Sequence, residues 1–261
     1  MLDQITPLIL TYNEAPNLER TLRQVSWAKD IVVVDSFSED ATPSIVSGFP
    51  QARIYKREFD SHCRQWNFGL TETGILTDWV LALDADYVLS NELISEFRNL
   101  KPEASVGGYR VDFTYCLNGK LLRSGIYPSV AVLYRASRAS YEQDGHTQRV
   151  NIRGEILQLQ SRIIHDDRKP LSRWLHSQVQ YAELEAQKLL CSKPDEMTLT
   201  SRVRKWKVIA PGAMLFYCLI LRGGIVDGWP GLLYAFQRTL AELMLSLNLI
   251  QATVLERVKK N

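Results

Sequence analysis

Cysteine is scarce and scattered in this 261-residue chain: Cys63, Cys116, Cys191 and Cys218 form no Cys-x-x-Cys pair. That spacing excludes a disulfide-stapled miniprotein and a zinc ribbon, and it fits reduced thiols in a cytoplasmic protein. Excess charge of one sign is also missing. Thirty-one basic side chains stand against 29 acidic ones, a net of +2, so the chain as a whole has no nucleic-acid signature. Met1-Leu2-Asp3-Gln4 has no basic region followed by an apolar core, so no signal peptide is expected. The longest uncharged apolar stretch, Val208–Leu221, is broken by Pro211-Gly212 and falls short of the roughly 20 residues that a spanning helix needs. What is present is ordinary globular composition, 46% hydrophobic and 23% charged, at the length of one enzyme-sized domain with an appendage.

The charge that does exist is sorted along the chain. Residues 1–100 carry 8 basic and 15 acidic side chains, a net of −7, whereas residues 200–261 carry 9 and 3, a net of +6. An acidic first third can gather carboxylates around a metal, and a basic apolar tail can face an anionic surface.

The first third alternates short apolar strands with helices. Ile5–Leu10, Ile31–Val34, Ala52–Tyr55 and Trp79–Leu83 read as strands; helices begin near Leu18, Pro43 and Cys63. Ile31-Val32-Val33-Val34 is a continuous β-branched run, the pattern of a strand buried on both faces of a parallel sheet. This βαβαβ series predicts a doubly wound α/β sheet, in which ligands bind beyond the carboxyl ends of the strands. Polar clusters stand at those ends: Thr11-Tyr12-Asn13-Glu14, Asp35-Ser36-Phe37-Ser38 and Asp84-Ala85-Asp86. Residues 106–164 read as β-rich, with Asn118-Gly119 as a tight turn. A helix is expected over Leu171–Leu190. Two amphipathic helices then follow in the tail, fitted either to a membrane interface or to packing on the catalytic domain.

Asp84-x-Asp86 carries the sharpest chemical signal. Alternation along an extended strand puts both carboxylates on one side, and such a pair suits Mg²⁺ or Mn²⁺ bound together with substrate phosphates. Asp35 can accept hydrogen bonds from a ribose or a base, or it can cap the segment after it.

Leu10–Glu14, Val33–Asp40, Gln65-Trp66-Asn67-Phe68-Gly69 and Leu83–Asp86, in that order, resemble the family 2 inverting glycosyltransferases of GT-A fold. The resemblance covers at least residues 4–170. Tyr115–Tyr127, His165–Pro170 and Gly228-Trp229-Pro230-Gly231 are most similar to the branch related to lipopolysaccharide-core glucosyltransferases. It implies a Rossmann-like GT-A domain over 1–170, with a nucleotide-binding half (1–100) and an acceptor half (101–170), followed by a helical extension over 171–261. Thr11, Asn13, Glu14, Asp35, Ser36, Arg64, Asn67 and Asp84 would then line the nucleotide and diphosphate pocket. Asp84, Asp86 and His165 would hold the divalent metal.

Inversion needs a general base on the acceptor hydroxyl. The resemblance puts it in Tyr141–His146, with Asp144 foremost and Glu142 and His146 behind it, although the Glu-Asp pair usual in the family is absent. The Gln-x-x-Arg-Trp of processive synthases is also absent, Pro170 standing where the Gln would be, which favours transfer of a single sugar. The implied donor is a UDP-sugar, and the implied acceptor a lipid-linked or glycan molecule at the inner face of the cytoplasmic membrane. Two other readings stay open: a non-catalytic scaffold that keeps the nucleotide site, and a sugar-nucleotide pyrophosphorylase. The pyrophosphorylase reading is disfavoured because the loop after the first strand has no glycine.

Overall fold

The computed structural model describes residues 1–144, 147–193, 195 and 197–260, without the side chains of Thr147 and 256–260. It divides into two compact units. One comprises Met1–Gly119 and Tyr127–Lys169, the other Lys120–Ile126 and Pro170–Asn261.

The first unit is an α/β fold with a mostly parallel central sheet. Strands β1 (Ile5–Thr11), β2 (Ile31–Asp35), β3 (Ala52–Lys56) and β4 (Trp79–Asp84) alternate with helices α1 (Leu18–Gln24), α2 (Thr42–Ser47) and α3 (His62–Thr71). Then come β5 (Tyr87–Leu89), α4 (Asn91–Asn99) and β6 (Val106–Leu117). The turn at Asn118 and Gly119, both with positive φ as expected there, ends this run, and the two-residue strand after it, β7 (Lys120–Leu121), belongs to the second unit. The unit closes with β8 (Val130–Arg135), β9 (Ala139–Asp144), β10 (Thr147–Ile152) and β11 (Glu155–His165).

The sheet runs β3-β2-β1-β4-β8-β6-β11-β5, and β9 pairs only with β10 in a separate hairpin. β1 lies parallel between β2 and β4 in a register that sets Thr11 beside Asp35 and Leu10 beside Asp84. The three polar strand ends therefore reach one rim. β8 is antiparallel to both β4 and β6, and β11 is parallel to β6, so β11 ends on that same rim. There His165 pairs with Tyr87 of the antiparallel edge strand β5.

Both sheet faces are covered, which is why the strands read as unbroken apolar runs. Ile9, Val33, Leu81 and Leu83 pack with Leu18 and Leu22 of α1 and Leu93 and Phe97 of α4. Leu8, Val32, Val34 and Val80 pack on the other face with Trp66 of α3 and with Tyr134 and Tyr141. Helix α4 was not anticipated, yet its signal is local: the Ser90 hydroxyl caps it by accepting from Leu93 N. Gly107 admits no side chain, because a Cβ there would lie 2.3 Å from the Arg153 carbonyl oxygen.

The second unit is helical: α5 (Leu171–Cys191), α6 (Leu199–Arg204), α7 (Ile209–Phe216) running into a π-turn over Tyr217–Leu221, and α8 (Trp229–Lys260). Ala182, Ala186 and Leu189 of α5 pack on Leu245 and Leu249 of α8. Arg204 joins the largely buried carboxylates of Glu242 (2.7 Å) and Glu185 (3.2 Å). Among the described residues no helix is long and apolar enough to cross a membrane.

Candidate active site

The rim is organised first by the loops after β1 and β2. Asn13 and Phe37 both take left-handed backbone conformations, which turn these loops sharply. Asp35 is fully buried and accepts from the Thr11 hydroxyl (3.0 Å), the Ser38 hydroxyl (2.5 Å) and Ser38 N (2.9 Å). Asn13 N donates to Ser38 Oγ, and Asn13 Oδ1 accepts from Glu39 N. Thr11, Asn13 and Asp35 thus knit the two loops together, with the Asp35 carboxylate closing the turn onto Ser38. Ser36 Oγ accepts from the Gln65 amide of α3 (2.8 Å).

Helix α3 begins at the rim with Ser61 as its cap. Arg64, exposed, pairs with Asp60 at 3.2 Å. Asn67 bonds to β9: its amide donates to Tyr141 O and accepts from Tyr141 N, each at 2.9 Å. It holds β9 against α3 as another strand would. Of the expected base candidates, Glu142 is exposed and Asp144 pairs with Arg149 across the hairpin at 3.0 Å, whereas His146 lies outside the described residues.

The chemical centre forms where β4 and β11 end. Asp84 closes β4, but Asp86 lies beyond the strand, in the turn to β5. The turn, rather than strand alternation, brings the two carboxylates together. The Thr21 hydroxyl secures it from α1, lying 2.6 Å from Ala85 O and 2.9 Å from Tyr87 O. Asp86 Oδ2 meets His165 Nε2 at 3.2 Å, and Asp166 N donates to Asp86 O. Arg20 clamps Asp166 through its side chain (2.8 Å) and its carbonyl (2.7 Å). Lys169 Nζ reaches Glu14 at 2.6 Å, and Asn17 bridges Glu14 to Asp167.

Charge in this cluster is strongly coupled. Burial, with the neighbouring Asp86 charge, pushes the Asp84 carboxyl up to about 6, against a hydrogen bond from Tyr87. Burial pushes Asp86 the same way, but the charge and hydrogen bond of His165, helped by Lys169, hold it below its ordinary value. Burial opposes charge on His165, yet Asp86, Asp84 and Asp167 outweigh it and raise its pKa. Burial likewise opposes charge on Lys169, and Glu14, Asp86 and Asp167 reverse the effect. Burial raises Glu14 despite Lys169. Around His165 stand the rings of Tyr87, Tyr115 and Tyr127, with centroids 4.8 to 5.4 Å away.

Among the described residues, no three His, Cys, Asp or Glu side chains converge as a ready metal cage. His165 directs its Nε2 at Asp86 instead of at a position shared with Asp84. A two-carboxylate site nevertheless fits a hard divalent cation. Asp86 Oδ1 is buried with no hydrogen-bond partner, and Asp84 is held by a neighbour of its own sign. The expected residues brought together are Glu14, Asp84, Asp86 and His165. Asn17, Arg20, Thr21, Tyr87, Tyr127 and Lys169 complete the cluster without having been singled out for it. Their one sequence cue is the charged run Asp166–Lys169, directly after a strand end.

Residues 8–123 match the family described as Glycosyl transferase family 2. The chain is similar to an uncharacterized glycosyltransferase of Rickettsia bellii, 36% identical over 94 residues, covering 36% of this chain and 31% of that protein. A counterpart in Rickettsia felis is 33% identical over 96 residues, covering 36% and 33%. The chain thus matches about a third of the length of these curated relatives. Among solved structures it is similar to S. aureus TarS 1–349 in complex with UDP-GlcNAc, with 12% identity, a TM-score of 0.48, and coverage of 95% of this chain and 92% of that one. Another is glucosyl-3-phosphoglycerate synthase from Mycobacterium tuberculosis in complex with phosphoglyceric acid, with 15% identity, a TM-score of 0.49, and coverage of 74% and 82%.

Proposed function

We propose that this chain, with a family 2 glycosyl transferase domain over residues 8–123, is an inverting glycosyltransferase. It moves one sugar, glucose or a related hexose, from a UDP-sugar to a lipid-linked or cell-envelope glycan such as lipopolysaccharide core. It works peripherally at the inner face of the cytoplasmic membrane. The family match supports the reaction class. The observation that carries the assignment of the site is the largely buried cluster of Glu14, Asp84, Asp86, His165 and Lys169 at the carboxyl ends of the strands, where such sheets bind ligands. The donor sugar, the acceptor and the membrane location rest on the motif resemblance and the basic tail.

In this reading the acceptor oxygen attacks the anomeric carbon from the face opposite the diphosphate. The glycosidic bond to the nucleotide breaks with its electron pair on the departing phosphate oxygen. The acceptor proton passes to the Asp144 carboxylate, with Glu142 and His146 as the neighbouring alternatives. Lys169 contributes fixed positive charge on the leaving-group side, and the loops knitted by Thr11, Asn13 and Asp35 shape the nucleotide pocket. A Mg²⁺ or Mn²⁺ held by Asp84 and Asp86 would supply further neutralisation of the diphosphate.

Titration calorimetry of UDP and GDP, with and without Mn²⁺, tests this reading. One nucleotide should bind in a Mn²⁺-dependent manner, and Asp86→Ala should weaken it about tenfold or more, the loss of a charge-assisted contact. Absence of binding to either nucleotide, or binding unchanged in Asp86→Ala, overturns it.

A further inference from the structure

One helix of the helical unit carries more exposed apolar residues than fully buried ones. Along α7 and the π-turn after it, the outward positions recur as adjacent pairs four residues apart: Val208 and Ile209, Phe216 and Tyr217, Ile220 and Leu221. Gly212 and Ala213 fill the turn between. This stripe has no charged residue, and the inward side holds only Ala210, Pro211 and Cys218 as fully buried residues. Ordinary amphipathic packing has the opposite polarity.

The ends of the stripe are of another character. Trp206 precedes it, 61% exposed, and Trp229 follows the loop after it, 70% exposed. Arg202 and Lys205 are exposed at the first end and Arg222 at the second. The one acid between Arg202 and Trp229, Asp227, accepts two hydrogen bonds from Ser124, and Glu242 of α8 is 3% exposed against Arg204. The 13 residues from Ile209 to Leu221 span about 20 Å, against a hydrocarbon core of about 30 Å, so the helix is too short to cross.

We propose that this face is an anionic-membrane docking surface. The α7 stripe lies in the plane of the lipid headgroups, with Phe216 and Ile220 immersed and Trp206 and Trp229 at the water boundary. Arg202, Lys205 and Arg222 meet lipid phosphates. Charge complementarity selects this occupant over a second copy of the chain: a two-fold interface on the same stripe would bring basic residues of one sign together. The surface gives substance to the peripheral location proposed above. Its lipid readout is separate from nucleotide binding, so failure of one is distinguishable from failure of the other.

The test is flotation of the whole chain with vesicles of equimolar phosphatidylcholine and phosphatidylglycerol, against vesicles of phosphatidylcholine alone. Binding is expected to the anionic vesicles, to weaken with salt, and to fall about fivefold per charge in Arg202→Glu and Lys205→Glu. Phe216→Asp with Ile220→Asp, both at exposed positions, should lower it about tenfold or more while nucleotide binding is unchanged. Should that double variant fail to fold, the two charge variants and the blue shift of Trp fluorescence on vesicle addition decide the matter. Equal binding to both vesicle types overturns the proposal, as does no binding. So does a concentration-dependent dimer that Phe216→Asp abolishes in a chain that ignores lipid.

Discussion

Replacing Asp84 by Asn should stabilise the metal-free protein at alkaline pH while impairing the proposed nucleotide site. The Asp84 carboxyl is pushed from an ordinary 3.8 up to about 6 by burial and by the neighbouring Asp86 charge. The native state therefore keeps a proton that the unfolded chain has lost between those two values. Stability falls as pH rises through that window, and the full penalty stands above about pH 6. At about 1.4 kcal/mol per pH unit the penalty is roughly 3 kcal/mol. Partial solvent access and the attraction between Asp84 and the neighbouring Lys169 reduce it to about 1–2 kcal/mol. Asn keeps an oxygen to accept from Tyr87 and carries no charge. With chelator present, thermal denaturation at pH 8 should thus show the variant melting about 2–8 °C above the wild type. The difference should shrink to a small fraction by pH 4, where the native carboxyl is protonated and the unfolded one is titrating around its ordinary 3.8. Mn²⁺ with UDP should restore the wild type's advantage. A variant equally destabilised at pH 4 and pH 8 would refute the reasoning, because Asp84 would then be a structural hydrogen-bond partner and not a strained charge.

Two further substitutions probe the scaffold. Asn67→Ala removes both amide bonds to the Tyr141 backbone, and urea denaturation should register a loss of roughly 2 kcal/mol, since Tyr141 N and O lose partners in a part-buried setting. Arg204→Ala deprives the buried Glu185 and Glu242 of their guanidinium; the helical unit should lose about 3–5 kcal/mol, seen as an earlier loss of far-ultraviolet ellipticity, with Glu242→Gln in the same chain recovering part of it.

The amino-acid pattern reaches a long way into this protein, for reasons visible in particular residues. Ile31-Val32-Val33-Val34 announces a strand buried on both faces, because apolar side chains on both sides of the pleat need cover on both sides. Asn118-Gly119 announces its turn because both residues accept positive φ. The polar ends of β1, β2 and β4 are legible as one rim because parallel strands must end on one edge. Local signals also existed for α4, in the Ser90 cap before Leu93, and for the charged run after His165.

Three features were fixed only by tertiary structure. Strand order brought β11 beside β6 and β5, so that His165 meets Asp86, 79 positions earlier. Nothing in a strand's own residues specifies its second neighbour. The same long-range closure turned Lys169 onto Glu14 and Arg20 onto Asp166, giving these charges a buried setting that shifts their protonation. The folded chain likewise set the hydrogen-bond partners of Asp35 and Asn67. Their types suit a ligand or a backbone bond equally, and here neighbouring loops and β9 engage them in hydrogen bonds of the fold. Composition and periodicity determine which segments are strands and helices, because those depend on near neighbours in the chain. Which polar groups meet, and at what charge, depends on distances and desolvation that exist only once the chain has folded.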